Sequence, residues 1–308
     1  MLCLRARVQW SSPLYPGCLQ NYTAQNHFRE VSFNRKHDKR NIINLVFIVS
    51  MHVLACFAPM TFSRPMVCLL FVTYLVGRIG INLSYHRQLS HRSFRSPKWL
   101  EYALAYCGVT AAQWGPAEWV SNLRHHHRHC DTPLDIHSPR EGFWWAHMGW
   151  LFHHNINMER VGDRSNAMDM YNDPFYRHLE RRYPLHICGQ LALLYALGGF
   201  PGLVWGGALR IVISHHITFI VNSAGHKWGN QTYKTGDTSC NSWLLGILSA
   251  GDGWHNNHHA FEWSARYGLE WWQFDMIWQM IRLLEACGLA TNVKLPSEKQ
   301  KARLAIEK

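Results

Sequence analysis

The sequence predicts an all-α integral membrane protein, four transmembrane helices in two hairpins beneath a polar helical cap that holds a histidine-rich dimetal site. Three observations predict it: four apolar runs in a chain whose mean hydropathy is only −0.21, basic charge gathered beside those runs, and 21 histidines among 308 residues. The average looks soluble because long polar stretches offset the apolar ones, so membrane character shows only locally. With 31 Lys plus Arg against 20 Asp plus Glu, the formal charge of +11 points to an anionic partner such as a membrane surface. No nucleic-acid partner is expected, since the histidine excess points to transition-metal chemistry. The 15 Trp, 14 Phe and 12 Tyr exclude a disordered chain and require a sizeable core. Nine cysteines, scattered without a C-x-x-C pair, argue against a zinc ribbon or a disulfide scaffold.

Residues 1–40 are polar and basic, with no acidic residue before Glu30, and read as a basic N-terminal arm or an organelle transit peptide. Residues 42–60 are almost continuously apolar, enough at about 1.5 Å per residue to cross roughly 30 Å of hydrocarbon. A short turn follows at 61–65, then a second span, 66–83, with Arg78 near its end. After some hundred polar residues, apolar character returns over 186–205 and, beyond Gly206 and Gly207, over 208–222. Two hairpins put the N-terminus, the middle region and the C-terminal region on one side, where Lys and Arg concentrate as the positive-inside rule expects.

Four histidine clusters lie just beyond these spans: His86 with His91, Arg124 to His129, Asn222 with His226, and His255 with His258 and His259. On an α-helix, His255, His258 and His259 project from one side and converge on a metal. His86 and His91, at i and i+5, diverge by about 140° and suit two neighbouring metals better than one. Neutral imidazoles hold iron while leaving positions open for dioxygen. His52, His147, His153, His154, His178 and His186 are read as non-ligands, whereas His137, His215 and His216 stand close enough to the clusters to support them.

In this order the motifs resemble the membrane-bound fatty acyl desaturases of the Δ9-type acyl-CoA and acyl-lipid branch. The resemblance runs from about residue 40 to 297, so that 41–297 is read as the desaturase domain and 298–308 as a tail. It includes SYHRQLSHRSF, DTPLD, HSPREGFWWAH, NSAGHKWGNQTYKTGDTS, GDGWHNNHHAFEWSARYGLEWWQ and LATNVKLP. The C-terminal third looks closest to plant-type enzymes. The resemblance implies a cap on the cytosolic or stromal side, in the endoplasmic reticulum or a plastid membrane, with two iron ions and a narrow tunnel for one acyl chain. By the same resemblance His86, His91, His126, His127, His226, His255, His258 and His259 are the iron ligands, and Asn222 reaches the centre through water. One departure stands out: the second box is usually H-R-x-H-H, and here Leu123 occupies its first position, with His125 or His129 as substitutes to consider.

The implied reaction is the O2-dependent removal of two hydrogens from a saturated acyl chain carried on CoA or on a lipid, leaving a cis double bond. The expected electron donor is a separate ferredoxin or cytochrome b5. Trp114, Trp119, Trp228, Trp254 and Trp263 are candidates to line the acyl path, against the commoner role of Trp as an interfacial anchor. Arg87, Arg92, Arg95, Lys98, Arg124 and Arg128 are candidates to meet an acyl-CoA phosphate, an anionic carrier or lipid head groups. An acyl hydroxylase would share the box chemistry, and Leu123 also admits a non-catalytic homologue.

Overall fold

The structure is a computed structural model that describes residues 39–307. The expected arm or transit peptide therefore falls almost wholly outside the described residues. Within them the chain is helical, and its β contacts are isolated bridges such as Asn230 to Asn241.

Helix α1 (Lys39–Ala55) leads through a short reversal into α2 (Arg64–Arg78). Pro65 sits in the first turn of α2, where its missing N–H removes no helical bond. Without a break α2 continues as a π-helical segment, Ile79–Ser90, and the combined stretch 64–90 is long and apolar enough to cross a membrane. Then come α3 (Lys98–Thr110), α4 (Pro116–His129), α5 (Phe143–His147), α6 (His154–Val161) and α7 (Met168–Asn172). Helix α8 (Pro174–Gly202), a π-helical turn Leu203–Leu209, and α9 (Arg210–Ser223) form the second stretch that meets the membrane criterion. The chain ends with α10 (Trp243–Leu248), α11 (His255–Ala260), α12 (Met276–Ala286) and α13 (Glu298–Leu304).

Two placements differ from the sequence reading. The break between the last two apolar runs is not at Gly206 and Gly207 but at Gly199, whose φ of +59° and ψ of −157° suit glycine. Pro201 follows, and without an N–H it cannot continue the preceding hydrogen-bond ladder. The expected tail, 298–308, instead contains α13, opened by a reciprocal capping box between Ser297 and Gln300. Its end is tied down by Lys234 N–H donating to Leu304 O at 2.8 Å and Ile306 N–H donating to Thr232 O at 3.0 Å.

The π-helical segment 79–90 is the hub of the packing. Ile81, Tyr85 and Leu89 pack with Ala105, Trp119 and Val120 on one side, while Leu83 packs with Ala265, Ile277 and Ile281 on another. Each such buried aliphatic or aromatic side chain contributes roughly 1.5–3 kcal/mol. Arg87 is fully buried, donates to Asp275 Oδ1 at 3.0 Å and Ala265 O at 2.9 Å, and stacks on Tyr267. Arg124 donates to both carboxylate oxygens of Asp169 and to the carbonyls of Leu89 and Ser90. Both arginines are thus consumed in holding the hub, which removes them from the candidate anion contacts. A second set of histidines joins α1, α9 and α5: His52 Nε2 meets His216 Nε2, His216 Nδ1 meets His147 Nε2, and His147 Nδ1 meets Ser223 Oγ, each at 3.0 Å.

Candidate metal centre

Two groups of four imidazoles form where the hub, α4, the end of α9 and α11 meet. One group is His86, His91, His127 and His258; the other is His126, His226, His255 and His259. Within each, one ring nitrogen per residue lies within 4.8 Å of the others.

Local structure explains the partition. His91 N–H donates to His86 O, an i to i−5 bond, so a residue five along stacks over its predecessor and both rings enter one group. The expectation that His86 and His91 serve two metals rested on α-helical geometry and is corrected by the π-helix. On α11 the i, i+4 pair His255 and His259 faces the second group, while His258 turns to the first. The three therefore do not converge on one metal as expected. His126 and His127, adjacent on α4, likewise diverge into different groups.

The donor set fits a cation. His258 Nε2 lies 2.9 Å from His86 Nε2 and 3.0 Å from His127 Nε2, and His255 Nε2 lies 2.9 Å from His226 Nε2 and 3.1 Å from His259 Nε2. Nitrogens of neutral rings facing one another in this way place lone pairs together without enough hydrogens between them. His91 Nε2, His255 Nδ1 and His258 Nδ1 are buried without a hydrogen-bond partner. Burial, reinforced by the neighbouring imidazoles, holds His91, His127, His226, His255 and His258 well below the usual histidine range, which favours the neutral form a metal requires.

Carboxylates orient these rings, and the sequence reading did not single them out. His259 Nδ1 faces Asp237 Oδ2 at 2.8 Å, His126 Nδ1 faces Asp135 Oδ1 at 3.0 Å, and His86 Nδ1 faces Asp252 Oδ2 at 3.4 Å. An Nδ1–H donated outward leaves Nε2 as the inward lone pair. Burial alone would raise the Asp135 and Asp237 carboxyls, but the partner imidazoles outweigh it and hold both well below the usual carboxylate range. The signal was present: each aspartate stands inside a quoted motif, DTPLD, KTGDTS or GDGWH.

The substitute proposed for position 123 is not in either group. His125 Nε2 meets Leu134 O at 2.8 Å and its ring packs on His129, so both turn away. Leu123 borders a small cavity of about 50 Å³, together with Asn222, His137, Trp114, Trp119 and Trp150. Two of the five candidate tryptophans, Trp114 and Trp119, thus line the space beside the centre. Trp228, Trp254 and Trp263 do not: Trp228 packs on Phe143, Trp254 Nε1–H donates to Phe274 O, and Trp263 packs on Phe261. Trp150 was missed, because nothing local distinguishes it from its aromatic neighbours. Across the cavity Gln113 Nε2–H donates to Thr218 Oγ1 at 3.0 Å.

A profile of the fatty acid desaturase family matches residues 63–289. The chain is 53% identical over 259 residues to the Arabidopsis thaliana palmitoyl-monogalactosyldiacylglycerol delta-7 desaturase, chloroplastic, covering 84% of this chain and 70% of the relative. It is 47% identical over 280 residues to the acyl-CoA C20 Delta5-desaturase of Anemone leveillei, covering 91% and 90%. With delta-9 acyl-lipid desaturase 1 of Arabidopsis thaliana it shares 46% identity over 278 residues, 90% and 91% of the two chains.

Proposed function

The chain belongs to the fatty acid desaturase family, and from that premise we propose that it introduces a cis double bond into a saturated acyl chain, using two irons and dioxygen. It is an oxidoreductase of fatty acyl chains. The observation that carries the finer reading is the pair of four-imidazole groups beside an apolar cavity. His86, His91, His127 and His258 would hold one iron and His126, His226, His255 and His259 the other, with Asn222 reaching them through water. Iron bound there supplies the oxidising power that an unactivated C–H bond demands. In the overall reaction the acyl chain gives up two hydrogens, and dioxygen, with two electrons and two protons, leaves as two waters. A separate ferredoxin or cytochrome b5 supplies the electrons.

The protein's own part is placement. A methylene chain has no polar handle, so the carbons oxidised are set by the shape of the channel. Trp114, Trp119, Trp150 and Phe219 make an apolar wall that excludes water, and the Gln113 to Thr218 bond ties its two sides together. Asp135, Asp237 and Asp252 hold the imidazoles in the tautomer that presents Nε2 inward. The chain crosses the membrane four times, within 39–55, 64–83, 174–199 and 201–223, in the endoplasmic reticulum or a plastid, and acts on acyl-lipid or acyl-CoA.

Leu123 favours a second reading, a homologue that no longer turns over. Expressing the wild type and Leu123→His in a desaturase-deficient host and profiling the fatty acids decides between them. We expect new monounsaturated acids from the wild type, because each group would offer an iron four imidazoles without position 123. Products appearing only with Leu123→His would show that leucine disables the centre, and hydroxy acids would show an acyl hydroxylase instead.

A further inference from the structure

The small cavity beside the imidazoles has a larger neighbour. Gln113, Trp114 and Phe219 also line a second cavity of about 320 Å³, so the two abut at these three side chains. The larger cavity lies between α1 and α8: Ile43, Phe47 and Met51 form one side and Ile187, Cys188 and Leu191 the other. Ile43 and Cys188 at its rim are exposed. The polar groups on its inner wall are already satisfied within the protein, His215 Nε2 by Ala112 O and Gln113 by Thr218, and neither Lys nor Arg lines it.

We propose that this groove is a lateral portal through which the acyl chain of a membrane glycerolipid enters the space beside the imidazole groups, a specificity that rests on the desaturase reading above. An acyl chain still attached to its lipid cannot leave the bilayer without exposing apolar area to water. An opening between two apolar helices lets it bend inward while its head group stays at the surface. A CoA thioester would bring phosphates to the mouth and would call for cationic side chains there, which the groove lacks. Wall chemistry, the exposed rim and the shared wall of Gln113, Trp114 and Phe219 beside the centre therefore select the same occupant.

The test uses the full iron-loaded chain in phosphatidylcholine vesicles, photolysed with phosphatidylcholine bearing a mid-chain diazirine on one palmitoyl group. A parallel sample receives palmitoyl-CoA with the same diazirine. The lipid probe is expected to label peptides holding Gln113, Trp114 and Phe219, and Cys188→Trp to cut that labelling at least about fivefold, a change of about 1 kcal/mol in occupancy. Ile43→Trp, on the opposite rim, is expected to do the same. Leu193→Trp, exposed on the same helix outside the groove, is expected to leave it unchanged. Iron content, measured on every variant, should match the wild type. Lipid labelling that misses these peptides, labelling of them by the CoA probe alone, or labelling that both rim variants leave intact would overturn the portal. Double-bond formation is assayed separately, so its absence counts against the desaturase reading while the labelling still judges the portal.

Discussion

Asp237 shows how much of the site lies one residue away from the imidazoles. Its Oδ2 accepts from His259 Nδ1, and its Oδ1 accepts from Ser239 N–H at 2.9 Å and Thr235 Oγ1–H at 2.8 Å, so the carboxylate is itself held in place. Asp237→Asn keeps the shape but removes the anion and offers His259 an amide that can present the wrong hydrogen. Changes of this kind typically cost about 10- to 100-fold in metal affinity, and we expect iron to be stripped by a chelator faster by that order while the helical content stays unchanged. Unaltered iron release would show that Asp237 only supports its loop. The histidines were legible in the sequence because imidazole is the commonest transition-metal ligand and four clusters of them stand just beyond apolar runs. The aspartates were not, because a carboxylate among polar residues reads first as solvated surface, and only the fold shows that Asp135 and Asp252 are buried. Leu123 was legible as a gap, but not that His125 would turn to the Leu134 carbonyl instead of filling it.

At the scale of the element, the local pattern of 79–90 misleads, because the segment is π-helical. Residues 79–90 have the hydropathy of an α-helix end, and an α-helix would send His86 and His91 apart. The π-helical segment packs closely on α3: a Cβ on Gly80 would stand 2.0 Å from Gly108 N and 2.4 Å from Gly108 Cα, so the two backbones touch. Gly80→Ala must therefore push α3 away from the hub or rotate the segment that carries both histidines. Overpacking of this kind costs about 1–3 kcal/mol; against backbone, which cannot give way, we expect the upper end. The expected outcome is a lower unfolding temperature in detergent together with reduced iron content, because the same shift disturbs His86 and His91. A loss of stability with full iron content would mean that the segment moves as a rigid body and that the glycine serves packing alone.

At the scale of the whole molecule, the four apolar runs are visible to hydropathy, since crossing hydrocarbon demands length and apolarity and little else. The positions of their ends are not, because Gly199 and Pro201 break the chain through backbone dihedrals, and α13 is fastened by backbone bonds to residues some seventy positions earlier. The placement of the imidazole groups beyond the runs carries a topological consequence. If the chain crosses four times, the reversal after α1 and the break at Gly199 share one face, and the C-terminal part, from the end of α9 through α13, lies on the other with the imidazoles. Met60, exposed in the first reversal, and Cys287, exposed just after α12, then stand on opposite sides. In sealed vesicles carrying Met60→Cys with the other cysteines except Cys287 replaced by Ser, a membrane-impermeant maleimide is expected to label one of the two positions from outside and the other only after the vesicles are opened. Labelling of both from the same side would require an even number of crossings between them instead of three, placing one of the proposed spans along the surface instead of through the bilayer.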